Sequence, residues 1–168
     1  MISTTNIKYL LFIPTALLLL SGCLKKKEYP SAPVIEFNGF NAFKNVQGKD
    51  SAAVVVIHYT DGEGDIGLTQ ADTIAPFEGI YYYNCFLEYY EKQHGVWIKP
   101  ALSLPFYYRI PPLLDNGQQA VDGTIEISLS APYFSPSAFD TIKFSAKIVD
   151  HALHESNTIE TPEIVVVK

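Results

Sequence analysis

From residue 34 onward, apolar positions alternate with polar ones in short runs. Ile142, Phe144, Ala146 and Ile148 share one phase, and Lys143, Ser145 and Lys147 share the other. Ile125, Ile127 and Leu129 alternate with Glu126 and Ser128. Tyr81, Tyr83, Cys85, Leu87 and Tyr89 fall on one phase of a longer run. A period of two marks a strand with one buried face, whereas a core-facing helix repeats about every 3.6 residues. The runs are rich in β-branched and aromatic residues and are bounded by Gly, Pro, Asp and Asn. They predict strands over 34–37, 52–59, 80–91, 96–99, 106–110, 124–129, 141–149 and 163–167. No amphipathic helix pattern occurs after residue 30. Glu91-Lys92-Gln93-His94-Gly95 reads as a hairpin loop with Gly95 placed for positive φ, and Asp122-Gly123 as another turn. Seven or eight strands over residues 34–168 predict an all-β domain, a β-sandwich or a small barrel.

The first 22 residues follow a different pattern. Lys8 precedes an apolar run, Leu10 to Leu20, broken only by Pro14 and Thr15. The run has the length of a signal-peptide core and falls short of the ~20 apolar residues that span a bilayer. It ends in Leu20-Ser21-Gly22-Cys23. This tetrad resembles the lipobox of bacterial lipoproteins. The resemblance implies cleavage before Cys23, a covalent lipid on its sulfur and acylation of the new amino group. Each buried methylene contributes ~0.8 kcal/mol, so two or three chains anchor a protein stably. The expected organisation is a signal peptide over 1–22, a lipidated Cys23 with a flexible basic tether over 23–33, and a β-domain over 34–168.

The C-terminal third carries a second resemblance. A strand over 140–150 ending in Val149-Asp150, a polar loop containing Ser156-Asn157 and a final β-rich segment over 158–167 resemble the last hairpin of immunoglobulin-like modules of the fibronectin type III and cadherin kind. The paired cysteines of antibody domains are missing, and Trp97 does not fall where their core Trp lies. As a whole the chain resembles small uncharacterised lipoproteins of Gram-negative bacteria with an immunoglobulin-like β-sandwich. This implies a fold of seven or eight strands and a place in the cell envelope, most simply the outer membrane. It implies no particular function, because such folds host many unrelated sites.

Composition narrows the partners. The 168 residues carry a net charge of −6, which argues against nucleic acid. Four of the 12 basic residues and one of the 18 acidic ones precede residue 29, leaving 8 basic and 17 acidic residues and a net charge of −9 beyond it. The tether is basic and the domain acidic. Lys25, Lys26 and Lys27 either lie against anionic head groups, at about 1 kcal/mol each, or are simply solvated. With Cys23 consumed by lipid, Cys85 is the remaining cysteine, and it shares the core phase with Tyr83 and Leu87. It reads as a buried small hydrophobe.

Chemistry concentrates in Asp61-Gly62-Glu63-Gly64-Asp65-Ile66-Gly67, directly after a strand, with Asp72 eleven positions beyond Asp61. Calcium takes about 6 to 8 oxygens, which suits alternating carboxylates on a glycine-rich loop. Asp61, Glu63, Asp65 and Asp72 resemble calcium loops of the Asp-x-Asp-x-Asp type. They depart from the EF-hand, because Ile66 stands where that loop needs Gly and no helices flank it. In an immunoglobulin-like sandwich the B–C and F–G loops lie at one end. With 52–59 as strand B and 141–149 as strand F, the acidic loop meets Asp150-His151-Ala152-Leu153-His154-Glu155, which adds Asp150 as a fifth candidate calcium ligand. Like charges ~4 Å apart repel by ~1 kcal/mol even in water, so convergence calls for a cation, a raised pKa or intervening solvent. The alternative is a solvated acidic hairpin. His151 and His154 invite a zinc reading, but their spacing suits a helical turn and the segment reads as a loop. His58 and His94 are isolated, and His58 reads as a hydrogen-bonded strand histidine.

The aromatics form the other feature. If Tyr81, Tyr83 and Tyr89 face the core, Tyr82, Phe86 and Tyr90 face outward, as a platform for a sugar or a partner protein. Cross-strand aromatic pairing explains the same pattern, at ~0.2–1 kcal/mol per pair. Nucleophile elbows, phosphate loops, dinucleotide fingerprints and His-Glu-x-x-His motifs are missing. Ser135 and Ser137 lie in a proline-rich turn without an acid–base partner. The sequence therefore reads as a non-catalytic, lipid-anchored domain that binds or scaffolds an envelope protein or glycan, with calcium on the acidic loop. The alternatives are a subunit of an envelope complex docked through the Tyr-rich strand, and a metal-dependent hydrolase built on the acidic and histidine loops.

Overall fold

The computed structural model describes residues 28–113, 119–129 and 133–168. The expected signal peptide, Cys23 and the tether lysines lie outside the described residues. Nine strands follow in chain order: β1 (Val34–Lys44), β2 (Asp50–Asp61), β3 (Cys85–Gln93), β4 (Val96–Ile98), β5 (Phe106–Tyr108), β6 (Val121–Leu129), β7 (Thr141–Ile148), β8 (Ile159–Glu160) and β9 (Ile164–Val165). They form two antiparallel sheets, so the fold is all-β. One has the order β1-β2-β6; in the other β4-β3-β7-β8 run side by side, with β5 also paired to β3 and β9 to β7. The only helical element among the described residues is a single 3-10 turn, Gly79–Tyr82. No helix among the described residues is long and apolar enough to cross a membrane.

Alternation explains how the sheets share one core. Val55, Ile57, Ile125, Ile127 and Leu129 from the first sheet meet Cys85, Leu87, Tyr89, Ile142, Phe144 and Ile148 from the second. Phe40 of β1 stacks on Phe144 of β7 at 6.4 Å, and Tyr89 and Phe106 meet Phe144 edge-on. Edge-to-face contacts between rings add ~0.5–1.5 kcal/mol beyond area burial. Cys85 is fully buried, and burial pushes its thiol up to about 12.

Several boundaries differ from the periodicity, each for a local reason. β1 runs on to Lys44 instead of stopping at Phe37, across an irregularity between Phe37 and Gly39. Its second half is largely exposed, so it carries no alternation to read, yet β2 supplies its backbone partners. The 80–91 strand begins only at Cys85. Gly79, at φ 60°, starts the 3-10 turn, and buried Asn84 bonds both the N–H and the C=O of Ile110. Asp122-Gly123 is no turn but part of β6, with Gly123 opposite Tyr59. A Cβ on Gly123 would lie 2.8 Å from Tyr59 Oη, so only glycine lets that ring lie across the strand. The expected last strand, 163–167, is reduced to β9, and a further short strand, β8, precedes Pro162. The β3–β4 hairpin turns tightly on His94 and Gly95, both at positive φ, as a two-residue hairpin requires.

Candidate cation site

β2 ends in Asp61, which pairs with Val121 of β6 and is 0% exposed. Its Oδ2 accepts the N–H groups of Gly64 at 2.7 Å and Asp65 at 3.0 Å, folding the acidic segment back over the strand end. Two close approaches demand glycine here. A Cβ on Gly62 would lie 2.4 Å from the carbonyl of Tyr29, and one on Gly64 would lie 2.1 Å from that of Gln119. Gly64 also has φ 72°. The approach at Gly62 is made by the segment that precedes β1. Gly62 N–H donates to Pro30 C=O at 2.8 Å, and the Tyr29 hydroxyl donates to Asp122. The described end of the expected tether therefore lies against the acidic loop.

The loop after β7 arrives at the same place, as expected from the sequence. His151 N–H donates to Asp65 C=O at 3.1 Å, and Ala152 N–H to Asp65 Oδ2 at 3.1 Å. Asp150 is 1% exposed. Its Oδ1 accepts His154 N–H at 2.7 Å, and its Oδ2 lies 3.0 Å from His154 Nδ1. Asp61, Asp65 and Asp150 each bring a carboxylate oxygen within 4.8 Å of the others. Glu63, Asp150 and His154 form a second such group, sharing Asp150. The electrostatics are unfavourable for bare anions. Burial raises the pKa of Asp61, the charge of Asp65 raises it further, and the loop N–H groups offset only part of this. Asp150 is raised in the same way, first by burial and then by Asp65, against the bonds from His154.

Hydrogen bonding leaves the same deficit. Asp61 Oδ1 and Asp65 Oδ1 are buried without a hydrogen-bond partner among the described residues. A buried acceptor left unsatisfied costs ~1–3 kcal/mol, and more when charged. Two adjacent ones, on carboxylates that already repel, form an arrangement that a hard divalent cation would relieve. The other unpartnered buried oxygens, Asp50 Oδ1 and Tyr133 Oη, involve the opposite end of β2, where burial and the charge of Asp50 raise the Tyr133 hydroxyl.

No family model, curated protein or solved structure matches the chain.

Of the five residues expected to hold calcium, Asp61, Asp65 and Asp150 come together, and Glu63 joins Asp150 through the second group. Asp72 joins neither. It closes its own turn, accepting from Thr69 N–H at 2.6 Å and Thr69 Oγ1 at 2.8 Å. These bonds, with His151 nearby, hold its pKa low. The two histidines part: His151 lies 3.6 Å from Asp72 and packs on Phe77, while His154 bonds Asp150. They share no metal-holding group among the described residues. His58 is the hydrogen-bonded strand histidine expected, 2.8 Å from Asp122.

The outward aromatic row is not formed. Tyr82 lies in the 3-10 turn, where Arg109 sits 4.8 Å over its ring and donates to its carbonyl. Phe86 is only 8% exposed, covered by Tyr107 at 5.1 Å from β5. Tyr90 packs near Lys143, which also lies over Trp97. Of the three, only Phe86 makes a cross-strand aromatic pair, with Tyr107 opposite it. Sequence reading missed Arg109, whose guanidinium also bonds the carbonyls of Thr69 and Asp72 and so straps the 66–84 segment. A lone arginine beside a strand gives no signal of that role.

Proposed function

We propose that this chain is a non-catalytic, lipid-anchored binding or scaffolding domain of the cell envelope, an immunoglobulin-like sandwich whose acidic loop end holds a calcium ion. The anchor rests on the Leu20-Ser21-Gly22-Cys23 tetrad after the apolar run. The immunoglobulin-like reading is supported by two facing antiparallel sheets and by the meeting of the loops after β2 and β7. One observation carries the cation: fully buried Asp61, with an unpartnered oxygen, converges with Asp65 and Asp150. The ion joins loops that belong to different sheets, so its role is to fix the geometry of that end. Asp61, Asp65 and Asp150 supply the oxygens, and the N–H groups of Gly64, Ala152 and His154 orient them.

Thermal unfolding of the full-length protein in detergent, with calcium or with chelator, tests this. A ligand at ~100 times its dissociation constant adds about 2.7 kcal/mol, which raises the midpoint by several degrees in a domain of this size. The shift should vanish in Asp61→Asn/Asp65→Asn. An unchanged midpoint at millimolar calcium would reject the cation and leave the acidic loop as a solvated turn.

A further inference from the structure

Beside the three aspartates lies a cleft of about 560 Å³, lined by Gly62, Glu63, Asp65 and His151. Its size is that of a small-molecule site. Asp65 belongs to both features, as a member of the carboxylate group and as part of the cleft wall. Asp61 Oδ2, Asp65 Oδ2 and Asp150 Oδ1 already accept backbone N–H groups. A calcium ion seeks about 6 to 8 oxygens, more than the three carboxylates have to spare. Asp65, which also lines the cleft, is the point at which a bound molecule can supply the rest.

We propose that a cation held by Asp61, Asp65 and Asp150 completes its shell with a pair of vicinal hydroxyls from a neutral saccharide bound in this cleft. Charge selects the neutral ligand. Three carboxylates outnumber the two positive charges of the ion, and Glu63 on the cleft wall adds a further acid, so an anion would meet a negative site. Shape agrees. The His151 ring packs against Phe77 at 4.6 Å, with 41° between the planes, and Phe77 is itself buried. This fixes a flat ring on the cleft wall, against which the apolar face of a sugar can lie. The inference rests on the cation reading, and its test separates the two.

Terbium replaces calcium in the full-length protein in detergent, and its luminescence decay in H2O and D2O counts the waters it retains. Methyl α-mannoside is then added at up to ~100 mM, the range of a weak site. The expected result is bound terbium that loses about two waters, one per hydroxyl filling its shell. His151→Ala should weaken the sugar effect at least ~10-fold while terbium still binds. Bound terbium whose water count the sugar leaves unchanged would overturn the saccharide site and leave the cation standing. Displacement by methyl glucuronide but not by the mannoside would overturn the neutral ligand. Terbium that binds no better to the wild type than to Asp61→Asn/Asp65→Asn would overturn both.

Discussion

Glu91 occupies an inward position of β3 where an apolar side chain belongs, and it is 1% exposed. Its carboxylate accepts hydrogen bonds from the Tyr89 hydroxyl at 3.0 Å, from Ser137 Oγ at 2.6 Å and from the Gln93 amide at 3.0 Å. Burial pulls its pKa up, but these donors and the charge of Lys168 outweigh it and hold the value below the ordinary 4.5. The ionised group therefore stabilises the fold above pH 4.5, and that stability is lost as pH falls from there through the depressed folded-state value. Glu91→Gln should cost about 1–3 kcal/mol at neutral pH, because its amide replaces one acceptor oxygen with an NH2 group that faces existing donors. It should also flatten the acid limb of the stability profile. Urea unfolding of both proteins across that range checks this, and parallel acid limbs would exclude the role. The sequence places Glu91 at the start of the hairpin loop, whereas β3 runs on to Gln93 and continues the phase of Cys85, Leu87 and Tyr89 to Glu91.

At the scale of elements, the acidic loop owes its shape to glycine as much as to aspartate. Gly64→Ala would place a methyl group against the Gln119 carbonyl on a backbone at positive φ. The loop must then shift, at a cost of roughly 1–2 kcal/mol, and the N–H pair on Asp61 Oδ2 loosens. Terbium affinity should fall several-fold although no carboxylate has been removed, and unchanged binding would show that the loop tolerates another path. Much of this was legible in the sequence. Strands with strong alternation, β6 and β7 above all, carry their burial in the order of their residues. The convergence of Asp61, Asp65 and Asp150 followed from placing the loops after β2 and β7 at one end. The exposed half of β1, the turn before Cys85 and the separation of Asp72 were not legible. The first two depend on distant backbone partners, β2 for β1 and Ile110 for Asn84, whereas Asp72 is held apart from the other acids by a local turn with Thr69.

At the scale of the molecule, the segment before β1 ties the acidic end to the proposed anchor. Cys23 precedes Tyr29 by six residues, which reach at most ~20 Å when extended. With lipid on Cys23, as proposed, the acidic end would lie close to the bilayer. Cys23→Ser should move the protein from the membrane fraction to the soluble one without changing its unfolding midpoint, and continued sedimentation with membranes would exclude the anchor. With Cys23 lipidated as proposed, Cys85 is the only thiol of the two cysteines. That thiol is fully buried and held protonated, so a disulfide reagent reaches it only when the two sheets part. The chain thus contains its own clock: the rate at which Cys85 is labelled reports how often the core opens, without any cysteine having to be introduced.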